Sequence, residues 1–351
     1  MSGDAIRADG VDPAPSTITS LGLTLRALRP LLAREDVTEI CINRPHEAFL
    51  ETRTGWERQV LPFADFNWCY RLAKLIAHAA RQRVTEESPL LSAALPTGER
   101  VQLVLPPATS PGCVAISIRR PSAVVWSIGE LTQAGVFDRT RRASRELDDI
   151  EVELLRLLSA QEYEHFMRLA VRAKKNIVVS GPTGSGKTTY TKALIREIPT
   201  QERLITIEDA PELILADHPN HVRLFYSKGG QGQAKVTPRQ LLESCLRLRP
   251  DRILLAELRS DEAFDYLRNA NSGHPGSITS VHASSCELAF EQLTLLVKQS
   301  QGGSDLPRGE IKNLLYLLVD IVIQFGLNGT QRCIQEIWYE PARKREAGAR
   351  H

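Results

Sequence analysis

The sequence predicts an α/β protein in two units, a small mixed α+β unit followed by a parallel sheet covered by helices. Three observations point there. From residue 150 onward strand-like stretches alternate with helical ones, the pattern left by strands joined through helical crossovers. A glycine-rich turn at residues 181–188 sits between one such strand and one such helix. The chain has 351 residues, more than the roughly 100–200 that one compact core uses.

In chain order, residues 1–20 carry acids and prolines where a signal peptide needs a basic and then an apolar region, and they are expected to be a disordered leader. Residues 21–130 form the first unit. Ile40 and Ile42 alternate with polar neighbours, Asn43-Arg44-Pro45 turns the chain, and residues 48–51 return as a second strand. Asp65 opens a helix whose Phe66, Cys69, Leu72, Ala73, Ile76 and Ala80 share one face. Residues 101–105 and 114–118 are strand-like, separated by the breaker run PPATSPG. Residues 131–149 crowd Arg139, Arg141, Arg142 and Arg145 ahead of Glu146, Asp148 and Asp149; a solvated linker is expected, with a binding surface as the alternative. Residues 150–351 form the second unit, with strands at 177–180, 204–207, 222–226, 253–258 and 277–281 and a mobile surface loop at 227–233.

Composition removes several classes. Hydrophobic residues make up 42% and charged residues 25% of the chain, which excludes wholesale disorder. Lys and Arg number 44 against 42 Asp and Glu, a net +2 without the concentrated basic excess of a nucleic-acid-coating protein. The most apolar stretch, residues 314–325, is cut by Asp320 and Gln324, whereas a membrane span needs roughly 20 apolar residues. Six cysteines are scattered through apolar segments with no CxxC pair, so reduced core thiols and a cytoplasmic location are expected. His218 and His221 lack ligand company at metal-binding spacing and are expected to be structural.

One motif fixes the chemistry. Gly181-Pro182-Thr183-Gly184-Ser185-Gly186-Lys187-Thr188 matches GxxxxGK[ST], between the strand Asn176-Ile177-Val178-Val179-Ser180 and a helix over residues 188–197. The glycines let successive N–H groups turn inward, and the helix N-terminus adds positive potential. Lys187 is placed to reach the β- and γ-phosphates of a nucleotide and Thr188 to ligate Mg²⁺, with Thr189 completing the binding set. Arg252-Ile253-Leu254-Leu255-Ala256-Glu257 is a buried strand ending in a carboxylate, the Walker B pattern, so Glu257 is a candidate to hold Mg²⁺ through water or to polarise the attacking water. Glu208-Asp209 follows another strand at the same sheet edge, which makes Glu208 a rival base. His282 ends a further apolar strand and is a candidate γ-phosphate sensor.

Together these boxes resemble the VirB11-type traffic ATPases of bacterial type IV secretion, within the wider secretion-ATPase superfamily. The Walker A box is residues 181–188, the Asp box runs Thr206-Ile207-Glu208-Asp209-Ala210-Pro211-Glu212-Leu213, and the Walker B box runs from Arg249 to Arg259. The His box spans residues 273–283, within the longer stretch that starts at Ser272. Ile40-Cys41-Ile42-Asn43-Arg44-Pro45, Leu95-Pro96-Thr97-Gly98-Glu99-Arg100-Val101-Gln102 and Ser117-Ile118-Arg119-Arg120-Pro121 are similar to the family's N-terminal domain. The likeness covers about residues 20–340. Ala256 and Ser260 stand where superfamily relatives often carry Gly, and the tetracysteine motif of the type II branch is missing.

The resemblance implies a RecA-like P-loop ATPase domain behind a PAS-like α+β domain, ATP and Mg²⁺ as ligands, and a homohexameric ring. The ring would lie on the cytoplasmic face of the inner membrane, working with the system's inner-membrane ATPases and coupling protein and binding no specific nucleic-acid sequence. It implies nucleotide between the two domains, with Arg100 and Arg119, and less strongly Arg120, on the phosphates. A long linker such as residues 131–149 also fits the branch in which neighbours exchange domains. The alternatives are a pilus assembly or retraction motor, a nucleic-acid motor, for which aromatics at 6% are sparse, and a non-hydrolysing ATP-dependent scaffold.

Overall fold

A computed structural model describes residues 19–121, 125–142, 144, 146–260, 262–270 and 273–347. The expectations for residues 1–18, Arg145 and Ser272 lie outside these.

The first unit is a six-stranded antiparallel sheet in the order β3-β2-β1-β6-β5-β4. Its strands are β1 (Val37–Ile42), β2 (Glu47–Thr52), β3 (Gly55–Val60), β4 (Leu90–Ala94), β5 (Arg100–Val104) and β6 (Ala115–Arg119). The turn at Asn43 sets Ile40 opposite Leu50, and β6 returns along the other side of β1 with Ile118 opposite Ile40. Against this sheet lies the helix Phe66–Ala79, started by Asp65, whose carboxylate accepts from the Trp68 N–H at 2.6 Å. Its buried Cys69, Leu72, Ala73 and Ile76 join Ile40, Ile42, Leu103 and Ile116 in one core.

The second unit contains β7 (Ile177–Ser180), β8 (Leu204–Glu208), β9 (His221–Phe225), β10 (Arg252–Leu255), β11 (Ile278–Val281), β12 (Ile321–Asn328) and β13 (Gln331–Trp338). They pair in the orders β10-β8-β9 and β11-β7-β12-β13. The two groups adjoin where Leu258 N–H donates to Ser280 O and Ser280 Oγ to Ala256 O, both at 2.9 Å. All the pairs are parallel except β12–β13. The carboxyl ends of β7 to β12 therefore share one edge of the layer, where ligands of such sheets bind. Burial alternates as a doubly covered sheet requires, with Val178 in the core on one face and Ile177 and Val179 in the core on the other.

The apolar stretch at 314–325 divides into the end of the helix Arg308–Leu318 and the start of β12. Asp320 makes the break, accepting from the Asn176 N–H at 2.7 Å and from Lys344 at 2.6 Å. Inside the charged connection, Ser127 and Glu130 cap the helix Ile128–Gln133 reciprocally. Cys41, Cys69, Cys245 and Cys286 are buried and all six cysteines are free. His218 and His221 bond to the carbonyls of Ile198 and His218.

The two units meet at the amino edge of the parallel layer and along its outer strand β9, where Phe225 N–H donates to Ala108 O at 2.9 Å and Thr109 Oγ1 to Arg223 O at 3.0 Å. Arg203, fully buried just ahead of β8, donates to Leu248 O at 2.9 Å and Asn43 Oδ1 at 2.8 Å, and also to Asn220 Oδ1. Asn43 Nδ2 donates to Asn220 Oδ1 at 3.0 Å, and Trp56 Nε1 to Asp251 Oδ2 at 3.1 Å. Arg249 closes the seam on Glu51. The three acceptors of the Arg203 side chain, from Leu248, Asn43 and Asn220, are all neutral, so the buried guanidinium is held by hydrogen bonds rather than by a carboxylate of its own.

Candidate active site

β7 ends in the glycine-rich turn. Gly181, Gly184 and Gly186 take φ of +153°, +77° and +104°, values that L side chains rarely adopt. A Cβ on Gly181 would stand 2.7 Å from Phe325 O, so the loop also lies too close to β12 for a side chain. Gly186 is the N-cap of the helix Lys187–Arg196 and no side chain caps it, which leaves first-turn N–H groups for an anion. Thr188 and Thr189 are exposed at this helix start.

Lys187 is only 7% exposed. Its Nζ donates to Gly181 O at 2.6 Å and Pro182 O at 2.9 Å, and lies 3.3 Å from His282 Nδ1. Burial lowers its pKa below the usual 10.5, with Arg259 adding to the effect and Glu257 opposing it. Beyond the imidazole, His282 Nε2 is 2.5 Å from Glu257 Oε1. These partners assign the tautomer: Nδ1 accepts from the ammonium and Nε2–H faces the carboxylate. Lys187, His282 and Glu257 thus form one line along the carboxyl edge, carried by β7, β11 and β10.

The other Glu257 oxygen contacts Arg259, whose Nη1 reaches Asp209 Oδ2 at 3.4 Å. Arg259 is held in turn by Glu262, whose carboxylate accepts from its N–H and from the N–H and hydroxyl of Ser260. The pairing with Glu257 raises the Arg259 pKa. Sequence reasoning quoted Arg259 and Asp209 without giving them a role; the only signal was an arginine two residues beyond Glu257.

Glu208 has a different environment from Glu257. It is fully buried, and Oε1 accepts from Thr206 Oγ1 at 2.7 Å and Arg223 Nε at 3.0 Å. Oε2 accepts from Glu212 N–H, Leu213 N–H and Arg223 Nη2, each at 2.9 Å. The bidentate Arg223 and two amides of the following loop occupy both oxygens, which ties β8 to β9 and fixes the loop that carries Asp209.

Arg100 and Arg119 are not brought to the glycine-rich turn of their own chain. They stand opposite each other on β5 and β6, in a cleft of about 480 Å³ shared with Glu39, Gln102, Arg247 and Arg249. Arg249 precedes β10 while Glu257 follows it, so the cleft is at the amino edge and the turn at the carboxyl edge. Among the described residues neither arginine makes an ion pair or side-chain hydrogen bond. Arg120 instead caps backbone, donating to Arg34 O and to Val37 O at 3.3 Å.

The donor sets fit a magnesium nucleotide. Inward N–H groups and a desolvated lysine suit phosphate. The Thr188 hydroxyl and the Glu257 carboxylate are hard oxygen donors of the kind Mg²⁺ takes. Glu257 Oε1 is buried and faces the His282 Nε2–H, which leaves a lone pair for water or a cation. Among the described residues no group of three or more His, Cys, Asp or Glu could hold a metal alone, so a cation here would share phosphate oxygens.

The family model for type II/IV secretion system proteins matches residues 26–336. The chain is 46% identical over 353 aligned positions, covering 98% of each sequence, to the type IV secretion system protein VirB11 of Brucella suis biovar 1. It is 45% identical to the Bartonella henselae VirB11, covering 93% of this chain and 95% of that one. Among solved structures, the VirB11 ATPase of the Brucella suis type IV secretion system, in complex with sulphate, superimposes with a TM-score of 0.87. That structure is 47% identical to the chain, which it covers to 93% while being covered itself to 100%.

Proposed function

This chain belongs to the type II/IV secretion system protein family as a VirB11-type secretion ATPase, and we propose that it works as a homohexameric motor coupling ATP hydrolysis to substrate translocation or pilus assembly. The observation that carries the reading is the line Lys187–His282–Glu257 beside the glycine-rich turn. Nucleotide phosphates take the N–H groups that the glycine-rich turn and the first turn of its helix leave without carbonyl partners, and Lys187 leaves the Gly181 and Pro182 carbonyls for them. Charge growing on the transferred phosphoryl group is then met by an ammonium already stripped of water, where such contacts are strongest. Glu257 accepts the proton of the attacking water, and His282 holds Glu257 and Lys187 in register. Mg²⁺ would be held by Thr188 and, through water, by Glu257, and would neutralise phosphate oxygens. Glu208 acts through structure, by fixing Asp209 and hence Arg259.

Arg100 and Arg119 point away from their own P-loop, so in this account they serve the nucleotide of a neighbouring subunit. Arg100 and Arg119 face each other across β5 and β6 with Glu39, whose carboxylate accepts from Ser117, as the acid beside them, and the positive surplus that remains suits a triphosphate. Each subunit then offers a cradle at one edge and an arginine cleft at the other, as a closed ring requires. No helix of the described residues is long and apolar enough to cross a membrane; contact with the inner face of the inner membrane, with its resident ATPases and with the coupling protein is peripheral.

Purified full-length protein should hydrolyse ATP in the presence of Mg²⁺ and show a six-fold ring by native mass or imaging. A ring without turnover would return the reading to a scaffold. Turnover by particles that never exceed a monomer would remove the ring and the role given to Arg100 and Arg119.

A further inference from the structure

The hairpin of β12 and β13 forms a wall of the P-loop that no sequence box includes. Where Gly181 opens the loop, β12 closes in on it through Phe325, and at the other end the stem of Arg332 covers Gly186. A Cβ added to Gly186 would stand 3.3 Å from Arg332 Cδ. Arg332 is the second residue of β13, opposite Leu327, and its side chain is exposed. Among the described residues it makes no ion pair or side-chain hydrogen bond. The other cations at the loop are engaged, Lys187 with loop carbonyls and His282, Arg259 with Glu257 and Asp209.

Strand order gives this free guanidinium a direction. β7 lies between β11 and β12. His282 comes from β11, and Glu257 from β10 beyond it, so the reacting groups flank the loop on one side. Arg332 flanks it on the other. A phosphate chain lying along the loop with its reacting end at Glu257 must send its opposite end, the α-phosphate and nucleoside, toward the hairpin.

We propose that Arg332 is a nucleotide-binding residue that engages the α-phosphate, a group that a nucleotide carries and a single bound phosphate lacks. The inference rests on the P-loop being the nucleotide site. A guanidinium forks onto two phosphate oxygens, whereas an ammonium supplies only a point charge. The exposed hairpin position allows substitution without opening a core.

The test is binding of ADP and of inorganic orthophosphate, which fills only one phosphate position of the loop, to full-length wild type, Arg332→Ala and Arg332→Lys, by calorimetry and by competition against a fluorescent ADP. Loss of one charge-assisted contact should weaken ADP binding by about tenfold in Arg332→Ala, with orthophosphate unchanged and an intermediate ADP affinity in Arg332→Lys. Unchanged ADP affinity in Arg332→Ala overturns the proposal. So does an equal loss for ADP and orthophosphate, which would mean that the arginine only shapes the loop. Wild-type protein that binds neither ligand would refute the P-loop reading itself, a separate result.

Discussion

Replacing Glu208 with Gln separates a structural carboxylate from a chemical one. Glu208 is fully buried, and all five of its contacts are donors: Thr206 Oγ1, two Arg223 nitrogens and the N–H groups of Glu212 and Leu213. An amide can accept through one atom only, so in either orientation its NH₂ faces at least two donors and Arg223 loses its counter-charge. Removing one partner of a buried pair costs about 3–5 kcal/mol. Arg223 keeps 21% exposure, so water recovers part of its solvation and the lower end, about 3 kcal/mol, applies. At roughly 2–4 °C per kcal/mol for a domain of this size, the melting midpoint should fall by about 6–12 °C. The assay is thermal denaturation followed by circular dichroism, paired with ATPase turnover measured well below the lowered midpoint. Turnover there should fall far less than in Glu257→Gln. A variant with the wild-type midpoint and abolished turnover would make Glu208 the base and refute the argument.

Lys187→Ala should fold and lose ATP hydrolysis by a factor on the order of 100–1,000, the scale of one lost transition-state donor, as read from steady-state phosphate release. Glu257→Gln should still bind Mg-ATP while hydrolysing it at least about a hundredfold more slowly, which single-turnover measurements separate from binding. Because burial lowers the Lys187 pKa, kcat/KM for ATP should decline on the alkaline side at a pH below the ordinary lysine value of 10.5; the free enzyme loses the ammonium there, and a pH–rate profile checks the sign. Arg100→Ala with Arg119→Ala should weaken ATP binding in assembled rings, and equal affinity in the double variant would leave both arginines facing solvent.

The P-loop was legible in the sequence because its chemistry is contiguous, with glycine positions and one lysine sufficing to describe a turn between a strand and a helix. The choice between Glu208 and Glu257 was not. Both end strands at the carboxyl edge, and what separates them is Arg223, fifteen residues downstream and brought alongside by the pairing of β8 with β9. Arg100 and Arg119 were legible as candidates, but their place depends on Asn43 meeting Arg203 across 160 residues, which no local pattern records. β3 went unseen because an edge strand reading GWERQV is mostly exposed and lacks alternation. β12 went unseen because its apolar residues run on from the preceding helix, and only Asp320, buried on Asn176 and Lys344, marks the join.

The seam around Arg203 fixes a polarity. Holding the N-terminal sheet to the amino edge of its own layer puts the arginine cleft and the phosphate cradle on opposite ends of a single block. In the ring proposed above, copies would join head to tail, a heterologous contact, whereas a twofold dimer would match cradle with cradle and leave both unfinished. In an open row the last cradle has no cleft beside it and the first cleft serves nothing. When the row closes on itself, those two leftover halves meet. In that arrangement closure would add a complete catalytic site as well as one more contact, and the complete ring would be the smallest form in which every subunit's cradle is finished.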